Sequence, residues 1–454
     1  MSSIGARLDR IPFSRFHVRL LMMGGLGYMF EAVDVAIIAF VLPVLKVQWH
    51  LDSALIGVLA AGAAIGGFFG ALVAGRLGDV IGRRAVMMWA LATYCLATIA
   101  SAFVHGWGPF LAWRIIAGAG AYAESAIVAP FLAEFAGPAF RGRYIGALAS
   151  FFSFGFLLAA VLGYLIVPLQ PQAWRYVLVL TALPIVMILW WRRSLPESPR
   201  WLASRGRTQE AEAVVCRLEG ELAAHCKSVV LEPVPETMTP RDSGSEAPSG
   251  AHLGKLFAPP FIGAMCMALT MWFAIGFAYY AFFTWIPSLL VERGMGITGS
   301  YTYALALYAA QVPGYLTGAA LNDVIGRRAV ITLYMLCGAL AALALAVARS
   351  NVWILLAGSV LSFFMNGSYA GIYAYTPELF PTEARATAQG IASSLSRIGA
   401  VISPITVGYI FPIYGFAGVF GLSAGVLLVG ALAVTTLGIS TTNRSLEQIA
   451  GQGL

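Results

Sequence analysis

Twelve apolar runs of about twenty residues each are the feature that most restricts what this chain can fold into. A helix of that length crosses the ~30 Å hydrocarbon core of a bilayer, where every backbone polar group must be bonded within the protein. Only 11% of the 454 residues are charged and 59% are hydrophobic, whereas a soluble protein carries about 25% charged residues. We therefore predict an all-α integral membrane protein with transmembrane helices centred near residues 33, 64, 95, 120, 155, 182, 273, 310, 338, 363, 399 and 426.

The basic residues lie mostly on one side of these predicted spans. Of the 28 Lys and Arg residues, two fall inside spans, Arg114 and Arg397, and four fall on the opposite side: Lys46, Arg175, Arg293 and Arg349. Because basic loops remain in the cytoplasm, we predict a multi-pass protein of the cell inner (plasma) membrane with both termini cytoplasmic. The net charge of +7 reflects this asymmetry, and nucleic acid is not an expected partner.

A polar segment divides the apolar runs into two sets of six. It begins with "PESPRWLASRGRTQEAEAVVCRLEGELAA", which indicates short amphipathic helices, and continues with a stretch rich in Pro, Ser and Gly that is typical of a linker. We predict an N-terminal six-helix bundle over 1–195, cytoplasmic amphipathic helices and a linker over 196–256, and a C-terminal six-helix bundle over 257–454.

The two sets are related by an internal repeat. "DVIGRR" occurs at 79–84 and again at 323–328, a separation of 244 residues. The same separation relates four further pairs: Glu134 and Glu378, Arg141 and Arg385, Gly146 and Gly390, and Gly155 and Gly399. We therefore expect two tandem, pseudo-symmetric bundles about an axis along the membrane normal, with a substrate held between them near mid-membrane.

Several motifs resemble those of a known family. "GRLGDVIGRR" and "LNDVIGRR" resemble the signature loop of the major facilitator superfamily, and "RIIAGAG" and "PESPRWL" resemble its sugar-porter and organic-ion branch. Within that branch, three runs are most similar to bacterial niacin (nicotinate) permeases: "GLGYMFEAVDVAIIAF", "FAYYAFFTWIPSLL" and "YAAQVPGYLTGAALND". The resemblance implies the major facilitator fold and a secondary active transporter, not an enzyme. It also implies import of a small aromatic carboxylate, most simply nicotinate, by proton symport with rocker-switch alternating access.

Other functions compete with this interpretation. An aromatic-acid (benzoate-like)/proton symporter, an organic-cation or nicotinamide carrier and a sugar carrier all use the same fold. ATP-driven transport is disfavoured because the sequence has no GxxxxGK[ST] loop. A membrane enzyme would need a catalytic cluster, and all five His residues lie in terminal, loop or linker positions. We expect no cofactor, no metal site and a monomer whose partners are the lipid bilayer, protons and the substrate.

The repeated loop is predicted to form a cytoplasmic gate. Gly75, Gly78 and Gly82 permit a tight turn, and Asp79 is placed to accept hydrogen bonds from a helix N-terminus. The family resemblance implies that this loop and its carboxylate partners latch the outward-facing state; the alternative is that the charges only set topology. The predicted gate residues are Asp79, Arg83, Arg84, Glu134 and Arg141, with their equivalents Asp323, Arg327, Arg328, Glu378 and Arg385.

Charges inside the spans are costly unless they are paired or hydrated, so they mark functional positions. Glu31 and Asp34 lie one turn apart in span 1, and Arg114 and Glu124 lie in span 4. The family resemblance implies that Asp34 and Arg114 form a proton-coupling pair, although a permanent structural salt bridge is the alternative. Glu31 and Glu124 are further candidates for proton coupling, and Glu124 is also a candidate for lining the cavity.

The substrate site is predicted in the second half of the chain. Arg397 carries a planar fork suited to a carboxylate, unless it instead pairs with Asp34 or Glu31. Trp272, Tyr280 and Phe283 share a face of span 7, and an aromatic ring on the ligand needs flat partners, although such stripes are more often packing. The remaining candidates are Gln311, Asn366, Tyr369 and Tyr373, with the amide of Asn366 placed to bond a ring nitrogen.

Overall fold

The computed structural model describes residues 2–137, 140–225, 257, 261–380 and 385–439. Within these ranges the chain is helical and contains no β-strand. The helices are α1 (Ser2–Asp9), α2 (Arg15–Gln48), α3 (Ser53–Ile81), α4 (Arg83–Ala102), α5 (Trp107–Phe135), α6 (Arg141–Ile166), α7 (Ala173–Thr181), α8 (Met187–Ser194), α9 (Pro199–Ser204), α10 (Thr208–His225), α11 (Ile262–Glu292), α12 (Ile297–Ala309), α13 (Gln311–Val324), α14 (Arg327–Val347), α15 (Asn351–Glu378) and α16 (Arg385–Leu437).

Nine helices in the described part of the chain are long and apolar enough to cross a membrane. One of them, α16, contains two of the predicted spans, separated at Gly415, where φ is +61°. The other two predicted spans fall on interrupted helices, α7–α8 and α12–α13. The predicted all-α membrane architecture is therefore confirmed, and four of the twelve predicted spans differ from separate, continuous helices.

Proline accounts for both interruptions, because its ring removes a backbone donor and blocks the preceding turn. Pro184 lies in the 3₁₀ turn Leu183–Val186 between α7 and α8. Pro313 lies in the first turn of α13, directly after the break at Ala310. The second break places Gln311 at the first position of α13, where its side chain is buried.

The backbone divides into two compact units, of which the first comprises Met1–Ile37, Gly62–Ala159 and Gln172–Gly244. It includes the predicted amphipathic segment, observed as α9 and α10. The N-terminal helix α1 is tied to α10 because Arg7 and Arg10 both bind the carboxylate of Glu219. The hydrogen bond from Arg7, supported by Arg10, lowers the pKa of Glu219. The predicted linker that follows α10 lies outside the described residues.

The second unit comprises Ile38–Ala61, Ala160–Pro171 and Ser245–Leu454. Within it, Tyr301 on α12 donates a hydrogen bond to the carbonyl of Phe40 on α2, and Lys46 forms an ion pair with Glu292 at the end of α11. A Cβ at Gly57 of α3 would lie 2.5 Å from the carbonyl oxygen of Pro404. These units cut across α2, α3 and α6, whereas the division predicted from the sequence follows chain order and stays a prediction.

Candidate functional site

The first copy of the repeated loop turns between α3 and α4. Gly82 adopts φ +100°, a conformation that favours glycine. The guanidinium of Arg83 folds back onto the end of α3 and donates to the carbonyl of Gly78 at 2.7 Å. It also binds two carboxylates, those of Asp79 at 2.9 Å and Glu134 at 3.3 Å. The loop therefore joins the end of α3 to α5 through one arginine.

The second copy repeats this arrangement. Gly326 adopts φ +87°, and Arg327 donates to the carbonyl of Asn322 at 3.3 Å while its Nε lies 3.2 Å from Glu378. Each of these residues stands 244 positions after its counterpart in the first copy. Arg328 reaches the carbonyl of Thr435 near the end of α16. The repeat is thus present at the level of individual hydrogen bonds.

A carboxylate outside the predicted gate set caps α4. Oε1 of Glu197 accepts hydrogen bonds from the backbone N–H groups of Arg83 at 3.1 Å and Arg84 at 3.3 Å. Asp79, expected in that role, is 70% exposed, and its backbone carbonyl accepts from the indole of Trp201 at 2.8 Å. Glu197 takes this position because "PESPRWL" folds back onto the start of α4.

The turn between α3 and α4 depends on one glycine. Gly75 and Gly78 were expected to form the turn, but both lie inside α3, and Gly82 makes the turn. The carboxylates of Glu134 and Glu378 bind Arg83 and Arg327, respectively. The side chains of Arg141, Arg385 and Asp323 lie outside the described residues.

In the first unit, Asp34 on α2 and Arg114 on α5 form a fully buried ion pair. Both carboxylate oxygens lie 2.9 Å from guanidinium nitrogens, and both side chains are 0% exposed. Arg114 also donates to the backbone carbonyl of Asp34 at 3.2 Å, and the hydroxyl of Thr98 on α4 donates to the carboxylate at 3.2 Å. Asp34 is therefore held by three donor groups from two neighbouring helices.

The other two predicted intramembrane acids are also buried in this unit. Glu31 lies one turn before Asp34 on α2. Glu124 lies on α5 beside Gly27 of α2, and neither of its oxygens has a hydrogen-bond donor among the described residues. The three carboxylates thus occupy different environments on two packed helices.

In the second unit, α11 and α15 bring together three of the predicted aromatic residues. The rings of Trp272 and Tyr373 meet edge to face with centroids 4.8 Å apart, and Tyr369 lies 6.4 Å from Trp272. The indole of Trp272 donates to the hydroxyl of Thr376 at 3.0 Å, which fixes the ring. Tyr369 is half-buried and Tyr373 is exposed, so both rings retain free surface.

A second group of rings adjoins the first through Tyr279. Its ring lies 5.6 Å from Tyr369, 4.5 Å from Phe283 and 5.5 Å from Tyr280. Phe283 is buried against Tyr308 at 4.8 Å and therefore packs inside the cluster. We call the set Trp272, Tyr279, Tyr280, Phe283, Tyr308, Tyr369 and Tyr373 the aromatic cluster.

The predicted polar candidates differ in what their side chains do. Oε1 of Gln311 accepts from the hydroxyl of Tyr279 at 3.3 Å, while its Nε2 is buried without an acceptor among the described residues. The amide of Asn366 donates to Ser362 of its own helix at 3.1 Å. Arg397 is half-buried on α16 and follows Ser396, whose hydroxyl lies 3.4 Å from that of Tyr369.

Comparison with known proteins identifies the family. Residues 24–452 match the sugar (and other) transporter family. The chain belongs to this family of major facilitator transporters. Its members are membrane transporters and not enzymes.

Two relatives cover nearly the whole transporter. The niacin transporter NiaP of Acinetobacter baylyi is 33% identical over 446 residues, 98% of this chain and 99% of the relative. The putative niacin/nicotinamide transporter NiaP of Bacillus subtilis is 30% identical over 94% of this chain and 98% of the relative. Among solved structures, the partially occluded, inward-open xylose transporter XylE of E. coli matches 95% of this chain and 100% of its own, with a TM-score of 0.75 and 18% identity. That last likeness shows the fold.

Three contact residues of the transporter were not among the predicted site residues. Glu197 lay inside a recognised motif, but its partner on α4 is more than a hundred residues away in the chain. Thr98 carries no charge, so nothing in span 3 distinguished it. Tyr279 lies in the aromatic run of span 7, where no charge or motif distinguishes it from the neighbouring rings. Its contact with Gln311 depends on the break before α13.

We expect Glu197→Ala to lower the stability of the transporter by about 1–2 kcal/mol, the usual cost of losing an N-terminal helix cap. The carboxylate also interacts favourably with the positive end of α4, so Glu197→Gln should cost less than Glu197→Ala. Thermal unfolding in detergent measures both changes. The control is Glu210→Ala, because Glu210 is exposed and pairs only with neighbouring Arg207. Equal melting temperatures for Glu197→Ala and the control would contradict the capping role.

Proposed function

We propose that this chain is a secondary active transporter that imports a small aromatic carboxylate, nicotinate, by proton symport with rocker-switch alternating access. The main support is the aromatic cluster with Gln311 beside it, whose amide nitrogen has no acceptor among the described residues. A flat, polar, aromatic ligand matches both features. The similarity to the niacin transporter NiaP of Acinetobacter baylyi supports the same substrate.

The chemistry of nicotinate can be assigned to three kinds of side chain in the second unit. The aromatic cluster, with Trp272, Tyr280, Tyr369 and Tyr373 as the chosen contacts, would stack on the pyridine ring. Arg397 would bind the carboxylate through its planar fork. Nε2 of Gln311 would donate to the ring nitrogen, a role the sequence had suggested for Asn366. Helices interrupted near mid-membrane are typical of transporter substrate sites, and Gln311 follows such a break.

Proton coupling is proposed for the acids of the first unit. Asp34 and Arg114 would form the coupling pair, with Glu31 and Glu124 as further titrating groups. A carboxylate beside a guanidinium is held ionised, and separating the two on a conformational change would let it accept a proton. Asp34 binds Arg114 through both oxygens, which argues against Asp34 as the partner of Arg397.

Orientation and gating complete the proposal. With both termini in the cytoplasm, the two repeated loops would form the cytoplasmic gate, and the Lys46–Glu292 pair would lie at the outer surface. The contacts of Phe40, Lys46 and Gly57 within the second unit would then close the outer side. We propose that the transporter acts as a monomer.

The test is uptake by purified transporter in proteoliposomes, with and without an inward proton gradient. We expect accumulation of radiolabelled nicotinate above equilibrium only with the gradient. Competition by benzoate, nicotinamide and xylose should be weaker than competition by unlabelled nicotinate. Gradient-driven uptake of benzoate or xylose in preference to nicotinate would assign a different carrier class. Equal nicotinate uptake with and without the gradient would exclude proton symport.

We expect Gln311→Leu to remove the preference for nicotinate over benzoate, which has the same shape and charge without the ring nitrogen. One neutral hydrogen bond contributes about 0.5–1.5 kcal/mol, so nicotinate affinity should fall by about three- to tenfold. Benzoate affinity should change little. Competitive binding to wild type and variant measures both.

Asn366→Leu is the matched comparison, because Asn366 donates to its own helix. It should preserve the nicotinate preference. If Asn366→Leu removes the preference and Gln311→Leu does not, the ring nitrogen binds Asn366.

A further inference from the structure

Of the three charged side chains on α5, Arg114 and Glu134 form ion pairs, whereas Glu124 has no such partner among the described residues. It is 1% exposed, and neither carboxyl oxygen has a hydrogen-bond donor among the described residues. Arg114, ten residues earlier on α5, binds Asp34 through both Nη atoms. The helix therefore carries a two-point ion pair and, nearly three turns away, an acid without a counter-ion in the described part of the chain.

The immediate surroundings of Glu124 are apolar and closely packed. A Cβ at Gly27 of α2 would lie only 2.1 Å from Oε1 of Glu124, so the carboxyl occupies the space that a side chain would take. The ring of buried Trp191 on α8 comes within 3.3 Å of the same point. At this point the carboxyl lies against a glycine backbone and near an indole ring, and neither supplies a charge.

The ionisable groups around this position do not favour a second anion. On α4, Tyr94 and Cys95 lie within electrostatic range of both Glu124 and Asp34. The hydroxyl of Tyr94 donates to the carbonyl of Thr181 at 2.6 Å. On α2, Glu31 follows Gly27 by one turn, and Asp34 lies one turn beyond it. The guanidinium of Arg114 is bound to Asp34 and not to Glu124.

We propose that Glu124 is a proton-binding site, which holds a proton in this conformation while the carboxylate of Asp34 is bound to Arg114. A buried carboxylate without donors is strongly disfavoured relative to the neutral acid. Two carboxyls whose environments demand opposite protonation states are the usual basis for dividing proton chemistry between residues. This inference rests on the proposed proton symport and divides its roles in this conformation: Asp34 is bound to Arg114, and Glu124 holds a proton that transport releases.

The step itself is a simple proton transfer. In this conformation Glu124 is a carboxylic acid; when the surrounding helices move and water reaches it, the O–H bond breaks, the electron pair stays on the carboxylate and the proton passes to water. Re-protonation from water on the opposite side of the membrane reverses the step. No other bond changes, and no co-reactant is needed.

Infrared spectroscopy on the purified transporter tests the assignment without any substrate. At neutral pH the wild type should show the carbonyl stretch of a protonated carboxylic acid, and Glu124→Gln should lose it. The control Glu210→Gln, which changes an exposed carboxylate bound to Arg207, should keep it. An identical acid band in wild type and Glu124→Gln, or no such band in the wild type, would overturn the proposal.

Stability gives a second readout. Glu124→Gln replaces a neutral acid with a neutral amide of the same shape, so its melting temperature should stay close to that of the wild type. If Glu124→Gln instead unfolds or loses as much stability as Asp34→Asn, Glu124 is an ionised partner in a pair and the proposal is wrong.

Transport separates this inference from the substrate assignment. Nicotinate binding to the wild type should change with pH by up to about tenfold per pH unit, as linkage to one proton requires. Glu124→Gln should abolish that dependence, keep counterflow exchange and lose gradient-driven accumulation. Retained pH dependence and accumulation in Glu124→Gln would overturn the Glu124 assignment alone. Failure of the wild type to bind nicotinate would overturn the substrate, while the infrared result still decides the proton site.

Discussion

Arg397→Ala is expected to weaken nicotinate binding by about thirty-fold or more. Removing one partner of a buried charge-assisted pair costs about 2–5 kcal/mol, because the ligand carboxylate is then left in the site without its counter-ion. Nicotinamide has the same ring without the charge, so its affinity should change much less. Equilibrium binding of both ligands to wild type and variant gives the two ratios.

Arg397→Lys is the matched variant for geometry. An ammonium keeps the positive charge but lacks the planar fork that binds a carboxylate through two parallel hydrogen bonds. We therefore expect it to restore only a small part of nicotinate affinity. An equal loss for nicotinate and nicotinamide in Arg397→Ala would show that Arg397 supports the protein and does not bind the anion.

Asp34→Asn should abolish gradient-driven uptake and also lower stability. It leaves the guanidinium of Arg114 buried without its carboxylate, and breaking a buried pair from one side costs about 3–5 kcal/mol. Counterflow exchange by the folded fraction should persist, since the residues proposed to bind substrate lie elsewhere in the chain. Uptake with a proton gradient, exchange without one, and thermal unfolding together measure these effects.

The exposed Asp79 provides a control of the same chemical type. Asp79→Asn removes a solvent-exposed i,i+4 pair with Arg83, and such pairs contribute about 0–1 kcal/mol.

The double variant Asp34→Asn/Arg114→Gln should recover stability without recovering accumulation. Full accumulation by Asp34→Asn under an inward proton gradient would rule out Asp34 as the coupling acid.

The apolar runs of the sequence were sufficient to predict an all-α membrane protein. Apolar runs long enough to cross lipid must be helices whatever surrounds them, because lipid offers the backbone no hydrogen-bond partners. The internal repeat was equally visible, since both copies of the loop need a glycine at positive φ followed by an arginine, as at Gly82 and Gly326. The Asp34–Arg114 contact matches the pair that the family resemblance implied, because an intramembrane acid and base each need a partner.

Only the tertiary structure decided which partners the remaining polar groups find. The cap on α4 comes from Glu197 and not from nearby Asp79, because "PESPRWL" folds back from a distant part of the chain. The amide nitrogen that lacks an acceptor in the described part of the chain belongs to Gln311 and not to Asn366. Pro313 breaks the helix beside Gln311, whereas Asn366 donates to a carbonyl of its own helix. Glu124 and Asp34 are both acids in apolar spans, and sequence alone does not separate them. Their difference depends on which helix brings a donor within hydrogen-bond distance, and that is a property of packing between segments far apart in the chain.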